Sequence, residues 1–593
     1  MTDIEATSKA FWCVDSPDGR IRLTLTLANE GSLTYSVLQD EHVMIEPSPL
    51  GLSTSVADFR EGMTYLSHTT KTVQEAYDLI GGKTSKAVDH YNELTLKFRK
   101  QIYELHVILR AYDDGIAYRY KVPGTGAISI YGEASAFKMP DGSTAWAHDF
   151  VEHYEAFYPA RKLNDMAVGD YGMPVLFHHP DGRWSLVSEA AVYGETGASH
   201  LCVADEQNGC LLRVVPAPDQ SAALLSHRPF ETAWRAVIVS VELAGIVASN
   251  LMENLNPASE ISDTSWIQPG RSAWSWWSGD STSDLDVQKR YVDFAARMGW
   301  EYYLCDGGWQ EAWLPELLDY AKGKDVRLFV WSHHQDLQTD DEIESKLSRW
   351  AAMGVAGVKV DFFESDSQDK LRLYDKLAIE TAKRQLLLNY HGCTKPSGER
   401  RRWPHLVTRE GVLGAEYYKW SLGATAEHNC TLPFTRNVVG PMDYTPVTYS
   451  NYQGQTTFAH QTALCIVFES SVQHFADSVD SYETLDAPVL KLFQACPATW
   501  DETRLLEGYP GRYVTIARRK GDDWFIGAIC GGEARSVRIP LSFLTEGAYV
   551  ANVIRDGDKA DQMIHQEHMV DPASFLEIPL LVNGGCAVWV VAK

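Results

Sequence analysis

The chain has 593 residues, 45% hydrophobic and 22% charged, an ordinary balance for a globular protein but a length that one core rarely supports, so roughly three or four domains are expected. Its 53 basic and 79 acidic residues give a formal net charge of −26, which argues against nucleic acid or an anionic membrane as a partner, because phosphate binding needs clustered Lys and Arg. Acidic residues in this number are instead available to a hard cation.

The N-terminal residues Met1–Lys9 carry no basic region ahead of an apolar core, and no stretch reaches the roughly 18 apolar residues of a membrane span. The expected location is therefore cytoplasmic, or exported if a leader has been removed. Ten cysteines are scattered with no C-x-x-C pair and no zinc spacing, the pattern of reduced, mostly buried thiols. The 18 Trp and 28 Tyr suit aromatic-rich β packing and equally the apolar faces of sugars.

Residues 1–264 carry short alternating segments such as Ile21–Leu27 and Leu94–Phe98, separated by Gly, Asp, Asn and Pro turns. A repeated period of two predicts an antiparallel β-sandwich. Carboxylates stand beside apolar runs at Glu152-His153-Tyr154-Glu155 and at Ser188-Glu189-Ala190-Ala191.

From residue 265 to 505 the pattern becomes strand, loop, helix. Strands are predicted at 272–277, 302–306, 326–331, 355–361 and 386–391, with helices at 284–298, 314–322, 341–353 and 367–384 between them. This alternation predicts a (β/α)8 TIM barrel, with its later strands obscured by long loops from 393 to 450. Polar residues fall at the predicted strand ends, Asp306, His333, His334, Asp361 and His391, where barrel enzymes keep their chemistry. Residues 506–593 return to alternation at Tyr513–Ala517, Trp524–Ile529 and Ala587–Val591, which predicts a small C-terminal β-sandwich.

The strand carrying Val358-Lys359-Val360-Asp361 is apolar except for two charges on one face. Lysine and aspartate are seldom buried unpaired, so they form a structural ion pair or point together into one cavity. A second acidic group lies in Thr408–Glu416, where Glu410 and Glu416 are six apart, a spacing that no helix face explains. Two carboxylates flanking a glycosidic bond are the minimum for its hydrolysis. No phosphate-cradling glycine motif and no G-x-S-x-G elbow is present.

Several longer motifs carry a resemblance: Asn254–Pro257, Pro269–Trp277, Val358–Phe362, His391–Gly398, Thr408–Glu416, Gly440–Pro446 and Trp500–Thr503. In this order they resemble glycoside hydrolase family 97 over nearly the whole chain. The resemblance implies a central catalytic barrel flanked by a large N-terminal β-sandwich and a C-terminal one, an oligosaccharide or glycoside substrate, and an active-site calcium ion.

Inverting members carry a base glutamate directly after the fifth-strand histidine, where this chain has Gly392; retaining members carry a fourth-strand aspartate nucleophile, which matches Asp361. The resemblance maps the general acid/base to Glu416 and the calcium ligands to Glu189, Glu410 and Glu416. Sharing the ion would lower the acid's pKa, so coordination through one oxygen or through water fits that role better. Lys359, Asp306, Trp309, His391 and Trp276 are the expected substrate contacts. Related α-galactosidases of families 27 and 36 place paired acids on the second strand, whereas Cys305–Trp309 offers Asp306 alone. A terminal α-galactoside and a β-L-arabinopyranoside, which lacks the C6 hydroxymethyl, are both compatible. An inverting α-glucosidase and an inactive carbohydrate-binding barrel are the alternatives.

Overall fold

The computed structural model describes residues 10–204, 210–220, 223–420, 423–450 and 455–593; the N-terminal nine residues that bear on the leader expectation lie outside them. In the N-terminal region two antiparallel sheets of eight and eleven strands pack face to face. Strand Ile21–Leu27 shows why: Ile21, Leu23 and Leu25 are wholly buried while Arg22, Thr24 and Thr26 face outward, the alternation that the period of two demands.

Seven parallel strands follow in a nearly closed barrel: β1 Gly270–Trp274, β2 Tyr302–Cys305, β3 Arg327–His333, β4 Gly357–Asp361, β5 Leu387–Tyr390, β6 Leu406–Arg409 and β7 Val472–Phe475. The helices between them are α1 Leu285–Met298, α2 Leu314–Lys322, α3 Asp340–Met353 and α4 Gln368–Lys383, each within two residues of its predicted span. Their ends obey local capping chemistry: Asp284 caps α1, Thr339 and Glu342 form a capping box on α3, and Gly299 and Gly354 close these two helices in the left-handed region.

Between β6 and β7 the gap is filled by an irregular stretch rather than a strand. Asp443 N–H donates to the Arg409 carbonyl (2.9 Å), Met442 N–H to Glu469 O (3.0 Å) and Ala476 N–H to Pro446 O (3.2 Å). These bonds satisfy strand-end groups without a regular ladder.

The loop from Cys393 to Arg402, after β5, docks the N-terminal sandwich on the barrel through buried ion pairs. Lys395 reaches Glu189 (2.7 Å), Arg401 reaches Asp89 (3.0 Å), and Arg400 lies between Glu253 (2.6 Å) and Glu469 (2.9 Å). The C-terminal region is a six-stranded antiparallel sheet opening with Glu502–Tyr509, plus a two-stranded one. It packs on helix α5, Phe458–Val467, where a Cβ on Gly527 would stand 2.8 Å from Val467 Cγ2, too close for any side chain. All ten cysteines are free and eight are buried. Among the described residues no helix is long and apolar enough to cross a membrane.

Candidate active site

The C-terminal ends of the barrel strands converge on one cavity of about 340 Å³. On β4, Val358 and Val360 face the surrounding helices, so Lys359 and Asp361 share the opposite face. They are not each other's partners. The Lys359 ammonium, 3% exposed, donates to Asp306 Oδ2 on the next-but-one strand (3.0 Å) and lies 4.9 Å from the Trp274 ring centroid. Burial alone would lower its pKa; the surrounding carboxylates of Asp306, Glu416 and Asp361 outweigh burial and raise it. Asp306 also accepts from Trp274 Nε1 (2.7 Å) and from Gly307 N–H (2.6 Å). Burial would raise its pKa, yet Lys359 and these donors hold it below the ordinary value. Asp361 is oriented differently, accepting from Trp331 Nε1 (2.9 Å) and from Phe362 N–H (2.7 Å).

A second group forms around His391, the residue after β5. Its Nδ1 lies 3.2 Å from Glu410 Oε2 and its Nε2 lies 2.8 Å from Asp443 Oδ2. Asp443 is held in turn by His474 Nδ1 (3.0 Å) and Asn389 Nδ2 (2.7 Å). Burial disfavours an imidazolium, but Glu410 and Asp443 outweigh it and lift the His391 pKa well above the ordinary value. Glu416 is the least satisfied member. Its Oε1 is buried without a hydrogen-bond partner, 3.8 Å from His391 Nδ1 and 4.0 Å from Lys359 Nζ. Burial pushes its pKa up to about 8; Lys359 opposes this and Glu410 adds to it. Burial thus favours the protonated form of Glu416 well beyond the ordinary carboxylate range, the direction a proton donor needs.

The loop carrying Glu410 and Glu416 owes its shape to Arg436, which sequence reasoning passed over. This wholly buried guanidinium donates to the carbonyl oxygens of Arg409, Glu410, Gly411, Gly440 and Pro441. Five backbone acceptors around one rigid fork leave the loop little freedom.

Gly392 is constrained as tightly. Its φ is +48°, and a Cβ there would stand 2.9 Å from both N and Cα of Phe362 and 3.2 Å from Asp361 Oδ1. A side chain is excluded sterically, and the Gly392 N–H donates to Glu410 Oε2 (2.7 Å).

Of the residues singled out in the sequence, Trp276, Asp306, Lys359, Asp361, His391, Glu410 and Glu416 all line this cavity. Two others do not. Trp309 turns toward the helices, edge-on to Trp313 and Trp350, and donates its indole N–H to the Trp331 carbonyl (2.8 Å); the cavity takes Trp331 in its place. Glu189 is opposed by Arg235 across its antiparallel ladder. Its carboxylate takes Arg235 (2.5 Å), Lys395 (2.7 Å) and the Ser199 N–H (2.8 Å), so the residue expected as a cation ligand stands in a buried interdomain ion pair, off the cavity. The N-terminal carboxylate that lines the cavity is Glu155, whose charge adds to the raised pKa of Glu410. Its neighbour Tyr154, at φ +62°, is anchored to the barrel through Asp366 (2.5 Å) and Lys395 (3.1 Å).

Ligand atoms of Asp361, His391 and Glu410 lie within 4.8 Å of one another. With Glu155 and Glu416 on the same cavity, the donor set is dominated by carboxylate oxygens, the chemistry a hard divalent cation prefers. The upward shifts of Glu410 and Glu416, each fed in part by facing negative charge, are what a cation would relieve.

Comparison with known proteins agrees along the chain. Residues 14–257 match the description "Glycosyl-hydrolase 97 N-terminal", residues 266–412 match "Glycoside hydrolase 97" and residues 499–591 match "Glycosyl-hydrolase 97 C-terminal, oligomerisation". The sequence is 35% identical to a protein of Streptomyces bingchenggensis (strain BCW-1) named "Probable retaining alpha-galactosidase", over 97% of this chain and 92% of that one. It is 30% identical to the "Retaining alpha-galactosidase" of Bacteroides thetaiotaomicron, over 92% and 91%. A solved structure titled "Crystal structure of beta-arabinopyranosidase" superposes with a TM-score of 0.89 at 27% identity, covering 98% of this chain and 100% of the other. With three regions matched in order and the strand-end carboxylates in one cavity, the chain belongs to glycoside hydrolase family 97 and is a glycoside hydrolase.

Proposed function

We propose that this enzyme is a retaining, exo-acting hydrolase of terminal α-galactosides, with β-L-arabinopyranosides as compatible substrates. The observation that carries the reading is the contrast at one end of the cavity. Position 392, where an inverting member would place its base, is closed to any side chain, while Asp361 and Glu416, whose protonated form burial favours, line the same space. Relatives named as retaining α-galactosidases and a β-arabinopyranosidase support the substrate class.

In this mechanism Asp361, aimed by the Trp331 indole N–H, attacks the anomeric carbon as the glycosidic C–O bond breaks. Glu416 gives its proton to the departing oxygen, leaving a glycosyl ester on Asp361. Water then attacks the anomeric carbon, Glu416 takes up the water's proton, and the ester oxygen returns to Asp361 as carboxylate. Lys359 and Asp306 hold sugar hydroxyls at the base of the cavity, and the single carboxylate of Asp306 makes no demand for a C6 hydroxymethyl.

Glu410, Glu155 and one oxygen of Glu416 are the proposed holders of a calcium ion, with Glu155 in the place first expected for Glu189. When bound, the ion offsets the clustered carboxylate charge beside the sugar. Glu155 belongs to the N-terminal domain, so a bound ion would tie that domain to the barrel. Prolonged chelation should lower turnover and melting temperature together, since a site held at a hundredfold excess over its Kd contributes about 2.7 kcal/mol. Restored calcium should recover both; a metal-free enzyme with unchanged activity and melting would remove the ion from this reading.

The stereochemical test is proton NMR of the first sugar released from an aryl α-galactoside. The α-anomer is expected first, with the β-anomer appearing only by mutarotation; initial β-anomer would overturn retention. A parallel panel of α-galactoside, α-glucoside and β-L-arabinopyranoside assigns the glycone, and saturable binding without turnover on any of them would favour an inactive carbohydrate-binding barrel.

A further inference from the structure

An acid that protonates the leaving oxygen has to stand beside the leaving group, so whatever borders Glu416 at the cavity mouth borders that group too. Glu416 lies in the short turn Ala415–Lys419, and Tyr417 and Trp420, one and four residues further on, line the same cavity. Of the 18 tryptophans, Trp420 alone is half-exposed, at 50%. Phe362, 46% exposed, lines the same cavity. Large aromatic surfaces left in water at the mouth of a reaction cavity mark a binding surface rather than a packing one.

Trp276, deeper in the same cavity, is already engaged. Its ring stacks on Trp274 (centroids 5.6 Å apart, 19° between planes), and Lys419 places its ammonium 4.1 Å from the Trp276 ring centroid while donating to the Trp276 carbonyl (2.7 Å). Trp420 is braced by inclined contacts with Trp276 (6.3 Å, 59°) and Tyr417 (5.5 Å, 80°), which fix its orientation and leave half its surface open. Phe362 is fixed as well: its backbone stands at φ +66° and its ring stacks on His333 at 5.3 Å. A non-glycine residue held in the left-handed region directly after Asp361 is over-determined by its surroundings. Both rings are therefore preset rather than adaptable.

We propose that Trp420, with Tyr417 beside it and Phe362 on the same cavity, forms the leaving-group subsite. Its ligand is a ring with an apolar face, a second pyranose or an aryl group, stacked on the Trp420 indole. This deepens the function proposed above and rests on Glu416 being the acid/base.

The test compares two substrates that share one glycone, a disaccharide and the methyl glycoside, on the wild type, Trp420→Ala and Trp420→Phe. Trp420→Ala should raise KM for the disaccharide about tenfold, the cost of one lost stacking contact. KM for the methyl glycoside and the inhibition constant of the free monosaccharide should stay unchanged. Trp420→Phe should recover most of the loss. Equal weakening of disaccharide, methyl glycoside and free sugar would place Trp420 against the glycone and overturn the assignment. Unchanged kinetics with an altered oligomeric mass would assign it to a contact between copies and overturn it too. If the wild type cleaves no galactoside, the galactoside reading has failed, and the same comparison is run with the glycone found by the substrate panel.

Discussion

Asp361→Gly should abolish turnover, by roughly 10⁴-fold or more, the order seen when a covalent nucleophile is removed from an otherwise intact site. Asp361 accepts one hydrogen bond from the Trp331 indole and one from its neighbour's N–H. Lys359 has its own partner in Asp306, so the variant leaves no buried charge unpaired and should fold normally. Near-wild-type melting is the check on that point. The deletion vacates the space beside the anomeric carbon, and azide entering it should restore cleavage of an activated aryl α-galactoside. The product should be a galactosyl azide of inverted configuration, since a single displacement replaces two. No rescue by azide, or an azide of retained configuration, would remove Asp361 from the nucleophile's role.

Glu416→Gln should separate substrates by their leaving groups. Sugar and alkyl leaving groups need a proton in the transition state and should lose about 10² to 10⁴-fold, whereas an activated aryl leaving group departs unaided and should retain near-normal bond cleavage. Azide attacking the accumulated glycosyl-enzyme should then yield the retained azide, opposite to the product from Asp361→Gly. The same azide anomer from both variants would sink the division of labour. The pH profile gives an independent reading. The acid acts only when protonated, so wild-type kcat/KM should fall with rising pH on a basic limb that burial of Glu416 lifts above the ordinary carboxylate range and a bound cation lowers again; in the glutamine variant this limb should vanish. Stability follows the same sign. A carboxyl with a folded pKa raised above its ordinary 4.5 binds its proton more tightly in the native state. Its stabilisation is complete below that ordinary value and is lost as pH rises through about 8. Glu416→Gln should flatten this part of the stability curve.

Several site residues were legible because they break a local pattern. Lys359 and Asp361 interrupt an apolar strand with the correct parity, and both reach the cavity. Trp331 carried the same signal unread: it pairs in register with Lys359, as His333 does with Asp361, so a period of two from β4 points it inward. Trp309 lies off the cavity because the Gly307-Gly308 turn after β2 sends its side chain toward the helices, a direction that strand parity does not govern. Glu189 and Glu155 both stand beside apolar runs, and nothing local distinguishes them. Glu189 sits opposite Arg235 in a ladder and beneath Lys395 from another domain, contacts set 46 and 206 positions away along the chain.

The sequence by itself determined the three-part order of sandwich, barrel and sandwich, the spans of the helices and most barrel strands, and the carboxylates at strand ends. These rest on periodicity, capping residues and turn chemistry, all of which act within a few residues. Only the tertiary structure decided the charge pairing of Lys359 with Asp306, the placement of Glu155 rather than Glu189 on the cavity, the cradling of the Glu410 loop by Arg436 and the exclusion of a side chain at Gly392. Each of these is a contact between segments distant in sequence. A buried charge takes whichever partner the packed chain brings within about 3 Å, and a closed pocket excludes whatever its walls leave no room for.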